Sequence, residues 1–183
     1  MEALPTTLEG PILLQPTVHR DERGFFSETY RQEVLAELGV EDAWVQDNHS
    51  RSSRGIVRGM HFQPGMAKLV RCSRGEIVDV VVDIRKGSPT FGQWEAVTLN
   101  DENLREFYCP DGFAHGFCVT SDVADVIYKC SAYYDPAAET GFAYDDPGVG
   151  IEWPDLDLMP SKRDASAPSL EALESELPFV YAK

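Results

Sequence analysis

The first absence is local. Between Asn48 and Gly75 the chain has no Asp or Glu, although it carries 31 acidic residues against 16 basic ones and a formal charge of −15. Six cations, Arg51, Arg54, Arg58, Lys68, Arg71 and Arg74, fall inside that window, with His61 among them. Other absences exclude whole classes of function. No apolar run approaches the roughly 20 residues that cross a bilayer, so no membrane partner is expected. The opening MEALPTTLEGPILL lacks the basic start and cleavage pattern of a secretory leader, and a cytoplasmic protein is expected. Cys72, Cys109, Cys118 and Cys130 show no CxxC spacing and sit in apolar stretches. They read as buried free thiols, not as a disulfide framework or a zinc site. The overall acidity argues against nucleic acid as a partner, because a phosphate backbone needs a broad basic face.

What is present reads as one globular domain over residues 1–183, with 43% hydrophobic and 10% aromatic residues. Its core is expected over about 8–160, followed by a C-terminal extension over 161–183. One helix is signalled by Thr29-Tyr-Arg-Gln32 as a capping box, an apolar stripe of Val34, Leu35 and Leu38, and a stop at Gly39. After it, turn residues divide the chain into short strands up to about residue 153. The clearest is 76–85, EIVDVVVDIR, where Val78, Val80, Val82 and Ile84 share a face. RKGSPTFG is a turn, and strands follow at 93–99, 105–109, 115–120 and 123–133. A second short helix begins at Ser169. The pattern predicts an all-β closed or sandwiched structure with short flanking helices.

Two spacings sharpen this. Gly55, five residues, His61 and then Gly75 resemble the first motif of cupin jelly rolls, in which two histidines and a glutamate bind a metal. Pro110-Asp-Gly112-Phe-Ala-His115 matches the second motif, although its flanking glycine and asparagine are replaced by Leu104 and Val119. The ligand positions are rewritten. Gln63 stands where the second histidine belongs and Lys68 where the glutamate belongs. An ammonium repels a metal ion, so no metal and no cofactor are expected. A cation and a neutral imidazole in one barrel suit removal of a proton beside a carbonyl. His61 would take the proton and Lys68 would stabilise the enolate oxygen.

The chain more fully resembles the dTDP-4-dehydrorhamnose 3,5-epimerase family. The resemblance is carried by DERGFFSE, QDNHSRSSRGIVRGMHFQ, AKLVRCSRGEIVDVVVDIRKGSPTFG, GFAHGF, YKCSAYYDPAAE, DDP and SKRDASAP. It differs mildly at Met60 and Phe62, where the family commonly has Leu and Tyr. It implies a double-stranded β-helix and four catalytic groups: His61 as base, Lys68 on the enolate, Tyr128 as acid, and Asp164 fixing the His61 tautomer. It places Arg23, Gln46, Asn48, Ser50, Arg58, Tyr134, Glu139 and Arg163 around the nucleotide and its phosphates. Arg23, Phe26 and Glu28 would reach into the second subunit of a homodimer. His115, from the second cupin motif, joins the candidates for substrate contact.

These readings imply epimerisation of a dTDP-4-keto-6-deoxyhexose at C3 and C5. Both carbons flank the carbonyl, so one enolate-stabilising group serves both. Inversion needs a base on one face and an acid on the other. Strand alternation puts Lys68, Val70 and Cys72 on one face and His115, Phe117 and Val119 on another. It separates Arg58 from His61, unless Gly59 makes a bulge. The alternatives left open are an epimerase acting at C3 or C5 alone or on another nucleotide, a metal-dependent cupin oxygenase, and a non-catalytic sugar-binding barrel. Lys68 and Gln63 at ligand positions weigh against the oxygenase.

Overall fold

The computed structural model describes residues 1–182. In chain order the strands are β1 (Glu2–Leu4), β2 (Ile12–Gln15), β3 (Val18–Asp21), β4 (Gly24–Ser27), β5 (Gln46–Ser53), β6 (Val57–Phe62) and β7 (Lys68–Arg74). They continue with β8 (Glu76–Asp83), β9 (Trp94–Asn100), β10 (Glu106–Cys109), β11 (Phe113–Val119), β12 (Val123–Cys130) and β13 (Thr140–Gly141). Helix α1 (Gln32–Glu37) follows β4, and α2 (Leu170–Leu173) lies near the C-terminus. One sheet has the order β1-β2-β10-β7-β12-β5 and the other β13-β6-β11-β8-β9, with β3 and β4 forming a separate hairpin. From β5 to β13 the chain crosses between the two sheets at every step except the β8–β9 pair, which is the double-sheet jelly roll expected from the cupin spacing.

The strand β8 shows how the core is divided. Val78, Val80, Val82 and Ile84, the four residues assigned to its apolar face, do not point between the sheets. They pack outward against Met60, Phe62, Phe142, Leu170, Leu177 and Phe179. The other face supplies Ile77 and Val81, which meet Val70, Phe107, Phe117 and Val126 between the sheets. Asp79 and Asp83 share that inner face and are fully buried. The outward face is apolar because the tail covers it. Ser169 Oγ caps α2 by accepting from the Ala172 amide at 3.3 Å, as its position predicts. Each of Leu170, Leu177 and Phe179 contributes about 1.5–3 kcal/mol by burial.

One expectation is corrected. The Thr29–Gln32 capping box does not form: α1 starts at Gln32, its N-cap is Arg31, and no side chain caps it. Arg31 is extended (φ −147°, ψ 118°), Glu28 pairs with Arg31 at 2.6 Å, and the Tyr30 ring lies 4.9 Å from Lys129 Nζ. These contacts hold residues 28–31 as a strap and delay the first turn. The helix does stop at Gly39, which adopts φ +89°. Strands β1 to β4 precede the helix, in a stretch that the sequence pattern did not assign. Each has only three or four residues, and Pro5, Pro11 and Pro16 interrupt their alternation. All four cysteines are buried and free, as their apolar surroundings predict.

Candidate active site

Between the two sheets opens a cavity of about 240 Å³. Every candidate site residue lines it except Arg23, Phe26 and Glu28. Strand β5 makes one wall. Its alternating residues Gln46, Asn48 and Ser50 line the cavity, and Ser52 Oγ, next in the alternation, accepts from Arg58 Nε at 3.1 Å. An inward face made of polar residues hides a strand from hydrophobic patterning.

The conflict between Arg58 and His61 is resolved by a bulge. His115 pairs with His61 and Phe117 with Arg58, so two steps on β11 oppose three on β6. The extra residue lets both side chains reach the cavity. Gly59 permits it: its φ is +147°, and a Cβ there would lie 2.6 Å from Gly116 Cα. Only glycine fits that approach.

His61 Nε2 lies 2.7 Å from Asp164 Oδ1. Asp164 is buried in a 3-10 turn (Asp164–Ser166) whose first amide donates to Ser161 Oγ at 3.1 Å. Upstream, the amide of Met159 donates to Gly55 O and that of Val57 to Met159 O, which ties the tail to the start of β6. A carboxylate only accepts, so Nε2 carries the proton and Nδ1 keeps its lone pair. Burial pushes the His61 pKa below its usual 6.5; Asp164 opposes that shift and the Lys68 charge adds to it. His61 is therefore a neutral imidazole near pH 7, the form that accepts a proton.

Lys68 and Tyr128 come from the facing sheet. Lys68 opens β7 and lies between Cys109 of β10 and Cys130 of β12. Lys68 forms no salt bridge among the described residues. Tyr128 pairs with Val70 on one side and Asn48 on the other. Burial raises its phenol pKa above the usual 10, and a hydrogen bond from Asn48 acts against that rise. His61 thus projects from the five-stranded sheet, Lys68 and Tyr128 from the six-stranded one.

At the rim, Arg163 donates to Glu139 at 2.6 Å, and the Tyr134 amide donates to Gln46 Oε1 at 3.0 Å. His115 lines the wall with Nε2 held 2.9 and 3.0 Å from the Asp79 carboxylate. Met66, Phe117, Cys130 and Ser161 also line the cavity, and the sequence reading did not single them out. For Phe117 the alternation from His115 was the available signal. Asp79, the partner of His115, was hidden inside the valine run of β8. Arg23, Phe26 and Glu28 lie outside the cavity: Arg23 pairs with Asp21, Phe26 is 70% exposed, and Glu28 pairs with Arg31.

The four residues at the cupin ligand positions do not suit a metal. Gln63 spends both ends of its amide on the following loop, donating to Tyr133 O and accepting from the Asp135 amide, each at 2.9 Å. Lys68 stands where a carboxylate donor belongs, which leaves only the His61 and His115 imidazoles of a four-ligand set.

Comparisons with known proteins agree with this architecture. The dTDP-4-dehydrorhamnose 3,5-epimerase family profile matches residues 5–172. The chain belongs to this family. It is 48% identical over 176 residues to the dTDP-4-dehydrorhamnose 3,5-epimerase of Salmonella typhimurium, covering 93% of this chain and 96% of the relative. An epimerase structure from Legionella pneumophila, in complex with dTDP-4-keto-L-rhamnose, superposes with a TM-score of 0.96 at 44% identity, covering 100% of this chain and 99% of that one. A 3'-monoepimerase from Streptomyces bikiniensis, in complex with dTDP-quinovose, gives a TM-score of 0.88 at 39% identity, covering 94% and 89%. The same jelly roll therefore carries epimerases named for two carbons and for one.

Proposed function

We propose that this chain epimerises a dTDP-4-keto-6-deoxyhexose at C3 and C5 through enolate intermediates. The observation that carries the reading is the split of proton carriers between opposing sheets, with His61 on β6 and Tyr128 on β12. A keto sugar seated between them has its reacting carbons within reach of a base from one side and an acid from the other. His61 Nδ1 takes the proton beside the C4 carbonyl. The C–H pair becomes the enolate π bond, and the carbonyl pair moves to oxygen, where Lys68 balances the charge. Tyr128 returns a proton to the opposite face, and the electrons flow back to restore the ketone. Turning the sugar brings the second carbon to the same groups. Arg58, Ser50 and Arg163 hold the nucleotide and its diphosphate near the mouth, Gln46 and Asn48 line the wall between them and Tyr128, and Tyr134 and Glu139 stand at the rim.

The working form is a cytoplasmic homodimer. The β3–β4 hairpin presents Arg23, Phe26 and Glu28 away from its own cavity, with Phe25 54% and Phe26 70% exposed. Two exposed phenylalanines on β4 are suited to cover by a second copy, where Arg23, in the hairpin turn, would meet the diphosphate. Sedimentation velocity checks the dimer, and an Arg23→Ala change raises KM more than it lowers kcat.

The deciding experiment is incubation with dTDP-4-keto-6-deoxyglucose in D2O, following C3 and C5 by NMR. Deuterium at both carbons with inverted configuration supports the reading. Inversion at C3 alone makes this chain a monoepimerase, the activity named for the Streptomyces bikiniensis relative. No exchange at either carbon refutes catalysis on this substrate.

A further inference from the structure

A chain of amide contacts runs along β5 toward Tyr128, and its direction is fixed at one end. The Tyr134 backbone N–H donates to Gln46 Oε1 at 3.0 Å. A backbone N–H cannot accept, so Gln46 must present its oxygen there and its Nε2 on the other side. Gln46 Nε2 then donates to Asn48 Oδ1 at 3.1 Å. That orientation puts Asn48 Nδ2, with its two N–H groups, on the side away from Gln46, where it lies 3.5 Å from Cys130 Sγ. Reversing Asn48 would set two N–H groups against each other. Asn48 and Tyr128 are direct partners across β5 and β12, and both line the cavity.

We propose that Tyr134, Gln46 and Asn48 form a polarity relay that turns an Asn48 N–H toward the Tyr128 hydroxyl, making Asn48 and Gln46 positioning residues for proton return. The proposal rests on Tyr128 being the acid. An N–H donor stabilises the phenolate left after the proton departs, and offers nothing comparable to the neutral phenol. The relay also links the loop carrying Tyr134, at the cavity rim, to the acid deep in the barrel. A ligand that orders Tyr134 would thereby order the donor beside Tyr128.

The test reads the phenol directly, in the free protein. Placing 3,5-difluorotyrosine at position 128 brings its titration into an accessible pH range, read by 19F NMR. Gln46→Leu and Asn48→Leu should each weaken the acidity of that phenol on the order of tenfold. The double variant should add nothing further, because both changes cut the same chain. In turnover, Gln46→Leu should slow inversion while deuterium still enters on the face of the base. Gln46→Met, which keeps length, repeats the measurement if the leucine variant does not fold. An unchanged titration in the Gln46 variants, or shifts that simply sum in the double variant, would overturn the relay. Parental epimerisation by Tyr128→Phe would instead remove the acid assignment, and the titration would still decide the relay.

Discussion

His61 and Asp164 are 103 residues apart in sequence and 2.7 Å apart at Nε2 and Oδ1. The contact joins β6 to a turn of the C-terminal segment, and it decides which imidazole nitrogen can act as base. Asp164→Asn replaces a group that can only accept by an amide that can also donate, which releases the tautomer, and it removes the charge that supports the imidazolium. We expect kcat to fall on the order of 10²–10⁴ with little change in nucleotide affinity. The acid limb of kcat/KM for the parent should have its midpoint below 6.5, because burial disfavours the charged ring. Asp164 opposes that shift, so the limb in Asp164→Asn should move to still lower pH. A limb that moves upward would contradict the pairing.

Lys68→Met keeps the length of the side chain and removes its charge. Loss of one preorganised group on a developing oxyanion costs on the order of 10²–10³ in kcat. Steady-state kinetics should show that loss in kcat, with dTDP affinity by calorimetry little altered. Intact kcat with weakened binding would make Lys68 a phosphate ligand.

His61→Ala and Tyr128→Phe should part company in D2O. Without the base there is neither product nor deuterium uptake. Without the phenol, His61 can return a solvent deuteron to the face it deprotonated, so label enters with retained configuration while inversion collapses. Equal loss of exchange in both variants would mean that Tyr128 serves deprotonation itself.

Gly59→Ala tests the bulge. The new Cβ meets Gly116 Cα at 2.6 Å in a backbone region unfavourable to alanine. Urea denaturation should show a loss of about 2–4 kcal/mol. Activity of the folded fraction should also fall, because Arg58 and His61 share the cavity only through this bulge.

Glu106 supplies a pH test away from the catalytic groups. It is 2% exposed, its Oε1 has no hydrogen-bond partner, and burial raises its pKa from 4.5 to about 8. Between those values the native state holds a proton that the unfolded chain releases, so stability falls as pH rises through that window. Glu106→Gln removes the ionisation. The variant should gain on the parent from pH 4.5 upward and level off above about 8. The advantage there should be about 2–4 kcal/mol by urea denaturation. A constant difference across the range would contradict it.

The sequence alone determined what depends on local spacing and residue chemistry. His61, Gly75, Pro110 and His115 kept the cupin intervals, and Lys68 and Gln63 at ligand positions withdrew the metal donor set. The valines of β8 announced a buried strand. The face they form was misleading only in destination, since 76–83 is buried on both sides. The tertiary structure decided what depends on meetings between distant segments. It brought Asp164 to His61, closed Asp79 on His115, and covered β8 with Leu170, Leu177 and Phe179. It also turned Arg58 and His61 to the same side through one extra residue at Gly59. Periodicity reports which side of a strand a residue takes. A bulge breaks that period, and no local pattern encodes which distant carboxylate will stand beyond an imidazole.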